Sequence, residues 1–312
     1  MKNLAFVCNP AKENTADFAE VSRRIARRAA DVSTHVLTAR RRRHALLKLA
    51  ALALRPTLAI QIDRDADVPL FRGAQLAHRH SGGKLVQYAR MAEAGLPLAP
   101  WKEIEPDTVL DPAEWGPYVV VKPSRGRRGA FVKVHKTARV RYQRPEDFPE
   151  DHLGRRAPML AQKFIYTGRW PVGFRVMTYF GRVILAIRYD GCRDPAPLES
   201  AKDFSTSGGR SIVASAMGCT VSLIHDADVL GLARRTHAAF PLNPSLGIDI
   251  VREAPTGALY VMEVNPSGNS WLLTNPSGRQ MQAEFGLDFY GQFGALDVIA
   301  KRSIELVREH AR

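Results

Sequence analysis

Two carboxylates and an amide stand close to one another near the C-terminal end of the sequence. Asp249 lies in the run Gly247-Ile248-Asp249-Ile250-Val251, and Glu263 and Asn265 lie in Leu259-Tyr260-Val261-Met262-Glu263-Val264-Asn265. The segment between them, Arg252 to Gly257, is rich in turn-forming residues, so the two runs read as a hairpin. With the loop centred near Thr256, Asp249 falls opposite Glu263. Asn265 then shares the face of Glu263, because strand side chains repeat every two residues. Like charges directly across a strand pair destabilise it by up to about 1 kcal/mol, which makes sense of the arrangement if a cation sits between them. All-oxygen donors suit a hard ion, most naturally Mg²⁺ sharing its shell with phosphate oxygens, and Mn²⁺ satisfies the same set. The competing arrangement is an exposed polar hairpin face one residue out of register.

A second group is suited to phosphate. Val119-Val120-Val121 reads as a buried strand that delivers Lys122, followed by Pro123-Ser124-Arg125-Gly126-Arg127-Arg128-Gly129. Gly126 and Gly129 let backbone N–H groups approach phosphate oxygens, and the side chains of Arg125, Arg127 and Arg128 are placed to close over a triphosphate. The lysine precedes the glycines, so this is not a Walker A loop. A mobile basic hairpin tip is the other reading. A third group is Arg175 and Arg188, flanking a Gly181-Arg182 turn. With Gly181 first in a type II′ turn the two arginines stand side by side and need anions. A pair of solvated arginines is the alternative.

These residues need a scaffold, and the sequence supplies one. The first 80 residues alternate strand-like and helix-like segments (4–8, 16–30, 32–37, 45–54, 58–62), a rhythm of βαβ units around a small parallel sheet. No G-x-G-x-x-G follows the first strand, so this Rossmann-like unit is a poor dinucleotide site. Residues 82–96 read as a helix ending at Gly95 with Pro97 beyond it. Strands follow at 118–121, 130–134, 159–165, 175–179, 183–188, 247–251 and 259–264, with helices at 227–240 and 295–310. The expected division is 1–80, 81–155 with the glycine-rich loop, and 156–312 with the metal site and a C-terminal helix.

Composition bounds the class. The chain has 312 residues, 45% hydrophobic, with 45 Lys plus Arg against 31 Asp plus Glu, a formal charge of +14. It can bury a core, and it is neither disordered nor fibrous. Cys8, Cys192 and Cys219 are too few and scattered for a disulfide framework, pointing to a reducing compartment, the cytoplasm. No apolar run reaches the roughly 20 residues of a membrane span. The positive excess suits nucleic acid or an acidic substrate, and its densest stretch runs from Arg23/Arg24 and Arg27/Arg28 to Arg40–Arg43. Solvated helical surface is the plain alternative.

In order, these residues resemble the ATP-grasp superfamily, specifically glutathione synthetase-like and RimK-type carboxylate-amine ligases. The resemblance covers about residues 80 to 295 and rests on Val121-Lys122-Pro123, Ala161-Gln162-Lys163-Phe164-Ile165, Phe174-Arg175-Val176, Gly247-Ile248-Asp249-Ile250 and Glu263-Val264-Asn265-Pro266-Ser267-Gly268. It implies an α/β chain, an ATP-grasp fold of two α+β subdomains clasping ATP behind the N-terminal unit. It further implies that Lys84 and Lys122 contact ATP phosphates, along with Ser124, Gly126, Arg128 and Gly129 of the loop. Gln162, Lys163, Phe164 and Ile165 match a hinge that meets adenine. Asp249, Glu263 and Asn265 match ligands to one or two Mg²⁺ ions, Arg188 the arginine that steadies an acyl phosphate, and Arg175 a substrate or phosphate contact. Ser205 to Arg210 looks like a glycine loop over the site.

Two departures accompany the match. Gly173 stands where such ligases place an acidic residue that holds ribose, so Tyr166 or a backbone group would substitute. The insertion Cys192 to Asp203 leaves the substrate side unlike that of ribosomal-protein glutamate ligases. The implied reaction joins a carboxylate to an amine through an acylphosphate, releasing ADP and phosphate, with an amino acid or a peptide tail as partner and a homo-oligomer as the expected state. Two other classes use the same residues: a basic nucleic-acid-binding protein, and a degenerate nucleotide-binding module without turnover.

Overall fold

The computed structural model describes residues 1–8, 15–38, 52, 54–62, 74–77, 83–126, 130–168, 171–191, 204–205, 219–265 and 271–312. The expected helix over 45–54 therefore falls almost entirely outside the described residues, as do Arg40–Arg43, Arg127, Arg128, Gly129, Cys192 to Asp203 and the Gly208-Gly209 pair.

The first unit is built on β1 (Lys2–Cys8), β2 (Val32–Thr38), β3 (Thr57–Gln61) and β4 (Ala74–Ala77), with α1 (Thr15–Arg28) between the first two strands. All pairings are parallel and the order is β2-β1-β3-β4, which is the arrangement that alternating strands and crossovers impose. β1 and β3 are buried along nearly their whole length, as strands covered on both faces must be.

A second sheet, order β11-β7-β6-β8-β5, is made by β5 (Trp101–Glu103), β6 (Tyr118–Pro123), β7 (Lys133–Lys136), β8 (Met159–Lys163) and β11 (Phe204–Ser205), preceded by α2 (Lys84–Glu93) and interrupted by the short α3 (Pro112–Trp115). α2 ends where the sequence placed its stop: Gly95 takes φ 64°, and the N–H of Leu96 returns to the carbonyl of Met91.

The third sheet, order β12-β10-β9-β13-β14, contains β9 (Val172–Tyr179), β10 (Arg182–Gly191), β12 (Cys219–Leu223), β13 (Ser245–Arg252) and β14 (Leu259–Asn265). α4 (Ala227–Ala238), capped by the Asp226 carboxylate, packs Val229, Leu232 and Ala233 into a core with Val176, Ala186, Ile248 and Ile250 on one face. The other face joins Met177, Leu185 and Ile187 to the N-terminal sheet and to α6 (Ala295–His310) in one continuous core. A further helix that the sequence reading did not anticipate, α5 (Pro276–Phe285), starts at an Asn275 cap.

The turn between β9 and β10 corrects one expectation. Phe180 and Gly181, not Gly181 and Arg182, are its central residues, both with positive φ (42° and 81°), the signature of a type I′ turn. Arg182 accordingly pairs with Tyr179, and a bulge between Val183 and Leu185 then moves the register by one. Beyond it Arg175 faces Ile187, and Arg188 faces Phe174 on the opposite side of the sheet. The expected side-by-side arginine pair does not form.

No helix among the described residues is long and apolar enough to cross a membrane. Among the described residues neither Cys8 nor Cys219 forms a disulfide. Three of the four α1 arginines are already paired: Arg23 and Arg24 with Glu20, and Arg24 and Arg28 with Asp297 on α6.

Candidate functional site

Lys122 closes β6 and is almost completely buried. Because Val120 lies opposite Gln162, the lysine and the glutamine share one face of their sheet. Lys122 Nζ donates to Gln162 Oε1 at 2.7 Å and to Tyr88 Oη at 2.8 Å. Both acceptors are neutral, and burial pulls the ammonium down to about 8, against the upward pull of Glu263 and Asp249 nearby. Gln162 is fully buried, and its Nε2 has no hydrogen-bond partner among the described residues. A depressed lysine and an orphaned amide donor on one sheet face are together prepared for an acceptor-rich, anionic ligand.

The Lys122 end of this sheet is tied to the carboxylate strands through α2. Lys84 opens the helix, its N–H donating to the Ser124 carbonyl at 2.9 Å, and its Nζ reaches Glu263 Oε1 at 3.0 Å. One turn later Tyr88 donates to the Met262 carbonyl on β14 at 2.9 Å. Gly83 permits the close approach, since a Cβ there would stand 3.2 Å from the Ser124 carbonyl oxygen. Tyr88 was not singled out from the sequence, although its position four residues after Lys84 puts both on one helical face.

Asp249 stands directly opposite Glu263, and Gly247 opposite Asn265, so the carboxylates meet as the hairpin reading expected. A bulge follows at once, with Ile250 facing Val261. Asp249 also faces Arg175 on β9. The guanidinium donates from Nε to Oδ1 and from Nη2 to Oδ2, both at 2.7 Å, and Asn265 Nδ2 donates to Oδ2 at 3.0 Å. Burial alone would pull the arginine down, but the adjacent carboxylate more than offsets it and holds the charge. The repulsion inferred between the carboxylates is thus relieved here by two protein cations, Arg175 at Asp249 and Lys84 at Glu263.

Arg188 is elsewhere. It bonds Asp190 two residues along the same strand face through Nε and Nη2, and its side chain is 44% exposed. The residue across from Arg175 is instead Ile187, with Tyr189 next on the same face, a buried phenol raised above its ordinary range by that burial. Tyr189 lies opposite Gly173, so an aromatic ring occupies the strand neighbourhood where an acidic ribose ligand was expected.

The hinge residues are placed as follows. Gln162 and Lys163 end β8, Lys163 Nζ donates to the Glu114 carbonyl at 2.9 Å, and Ile165 is buried with Ala99 and Val251. The N–H groups of Lys163 and Phe164 already donate to the carbonyls of Pro100 and Tyr118. Tyr166 is exposed, and its carbonyl accepts from Ala254. Ser124 is buried, with its N–H on the Pro158 carbonyl, and the Gly126 carbonyl lies 3.5 Å from Lys84 Nζ.

Among the described residues no group of three or more His, Cys, Asp or Glu side chains gathers around one point. The oxygen groups that the sequence reading offers to a metal are the two carboxylates and the Asn265 amide, and here Asp249 is bound by Arg175 and Glu263 by Lys84. Their chemistry fits a hard divalent cation: every donor is oxygen, and Asp249 Oδ1, which accepts from Arg175 alone, keeps a second lone pair, whereas Oδ2 already accepts from both Arg175 and Asn265.

No protein-family model matches the chain, and no curated protein matches it. Solved structures do. D-cycloserine synthetase DcsG is 15% identical, with a TM-score of 0.51 over 96% of this chain and 99% of that one. The ATP-grasp ligase PsnB, solved with a minimal precursor, is 17% identical, with a TM-score of 0.51 over 98% and 99%. The chain has the ATP-grasp fold. Lys84, Lys122, Gln162, Asp249 and Glu263 are linked through α2 across two of its sheets, while the Arg188 side chain pairs with Asp190 instead.

Proposed function

We propose that the chain is an ATP-dependent carboxylate-amine ligase. The observation that carries this is the buried Lys122 with the orphaned Gln162 Nε2, linked through α2 to an opposed pair of carboxylates. A carboxylate oxygen of the acid attacks the γ-phosphorus of ATP, the bond to the β–γ bridging oxygen breaks, and ADP leaves. The amine nitrogen then attacks the acylphosphate carbonyl, phosphate departs with the former acid oxygen, and the nitrogen loses a proton. This route needs no protein nucleophile, so the side chains work by position and charge.

Lys122 and Lys84 serve the phosphates, and Gln162 donates its free amide hydrogen to the nucleotide. Asp249, Glu263 and Asn265 would hold Mg²⁺, which when bound withdraws charge from phosphate oxygens. Nucleotide binding would release Lys84 from Glu263, freeing the carboxylate. Arg175 keeps Asp249 in place and stands beside the ligand as a positive charge. The acid and amine are an amino acid and an amino-acid or peptide partner.

The test is release of ADP and phosphate when Mg-ATP is offered with pooled acids and amines, with products identified by mass. Glu263→Gln should abolish it. Absence of ADP from every pool, together with unchanged nucleotide binding in Glu263→Gln, would sink the proposal.

A further inference from the structure

The small sheet that carries Lys122 has a second chemistry-bearing face. Strand alternation puts Lys122 and Gln162 on one side and Val121, Lys133, Ala161 and Met159 on the other. The short α3 packs Trp115 against Val119 and Ala161 on that back face. The chain from Thr137 to Arg155 crosses it with three single 3₁₀ turns and leaves a cavity of about 820 Å³. That volume is within the range of small-molecule sites, roughly 300–1,000 Å³.

Its lining is strongly cationic. Five lysine or arginine side chains face two glutamates, Glu103 and Glu105, an excess of three positive charges. Part of the wall is fixed from within. Arg155 donates to the carbonyls of Phe148 and Glu146, and Arg141 donates to those of Ala138 and Val140. His152 stacks on Phe148 at 4.5 Å with 9° between the rings, while its Nδ1 accepts the Gly154 N–H. Lys133, from the sheet floor, and Arg156, from the opposite wall, are different. Neither side chain has a hydrogen bond or ion pair among the described residues, yet both line the same cavity. Gathering like charges around a concavity concentrates field lines and is unfavourable without an anion.

We propose that this cavity binds a small polyanion, either a phosphate ester or a polycarboxylate, at a site separate from the Lys122 cleft and one sheet thickness behind it. Guanidinium forks and an ammonium serve both chemistries, so the source is decided by the probes. Pyrophosphate and tri-glutamate are titrated calorimetrically into the wild-type chain, into Lys122→Met, and into Lys133→Glu/Arg156→Glu.

Binding that persists in Lys122→Met and weakens at least tenfold in the charge-reversal variant supports the site. Preference for pyrophosphate identifies a phosphate ester, and preference for tri-glutamate a polycarboxylate. No binding of either probe, or binding indifferent to the reversal, overturns the proposal. Should the double variant fail to fold, Lys133 acetylation in the wild type, read by mass spectrometry, serves the same end. Slowing by the bound probe supports the site, and an unchanged rate refutes it.

Discussion

Replacing Lys122 by methionine should separate the stability of this fold from its chemistry. The lysine is held at about 8 from an ordinary 10.5, chiefly by burial. The folded chain therefore binds fewer protons than the unfolded chain between those values, and stability must rise with pH across that window. Integrating the linkage gives a gain of about 2 kcal/mol between roughly pH 7 and pH 9.5, and roughly 3 kcal/mol for the complete titration. Lys122→Met removes this slope. Near neutral pH it also removes the cost of the buried charge, partly offset by about 1–3 kcal/mol for the Gln162 and Tyr88 acceptors it leaves unpaired. Urea unfolding of both proteins across that pH range measures the difference. The variant should match or exceed the wild type at neutral pH, lose its advantage under alkaline conditions, and fail to bind ATP. A wild type whose stability changes with pH no more than the variant's would refute the account of Lys122 as a strained, ligand-seeking cation.

Asp249→Asn leaves the Arg175 guanidinium facing a neutral amide. It should cost about 3 kcal/mol in denaturant unfolding, beyond any loss of activity, because a half-buried charge loses its bidentate partner. Tyr88→Phe deletes the phenol that joins Lys122 to the Met262 carbonyl, for about 1–2 kcal/mol of stability, and, by removing an acceptor of the ammonium, moves the pH range over which stability rises further down. Asp17, buried beneath Trp271, accepts from Trp271 Nε1, Thr274 Oγ1 and Tyr290 Oη, and its carboxyl is raised by burial above the ordinary 3.8. A raised carboxyl contributes stability below 3.8 that is lost as pH climbs through the folded value, so Asp17→Asn should flatten the acid limb of the stability profile. Asp17→Ala should cost about 3 kcal/mol, with a change in Trp271 fluorescence.

The candidate site was legible in sequence wherever one geometric rule sufficed. The Asp249–Glu263 pairing followed from a turn centre and a period of two, and the Gly95 stop of α2 from the left-handed preference of glycine. Arg188 shows where such rules fail. β10 is buried without interruption from Val183 to Ile187, so no alternation of apolar and polar residues reports its register. A single bulged residue then turns Arg188 to the opposite face and leaves Ile187 across from Arg175, with Tyr189 next along that face. Counterions were equally hidden. The sequence brings Asp249 near Glu263, but only the tertiary arrangement sets Arg175 and Lys84 against them. Of the four α1 arginines, read as solvated surface or a basic patch, Arg23 pairs within its own helix and Arg24 and Arg28 pair with a helix some 270 residues later.

That last helix bears on how the chain folds. α6 supplies Ile299, Ile304 and Val307 to the core that also holds Leu4, Phe6, Leu58 and Ile60, the Arg312 carbonyl accepts from the Thr57 N–H, and Arg308 binds Asp31. The N-terminal strands are thus completed by a helix that lies far from them along the chain. Until residues 295–312 dock, the N-terminal sheet carries an uncovered apolar face, so its closure depends on contacts of very high sequence separation and comes late in folding.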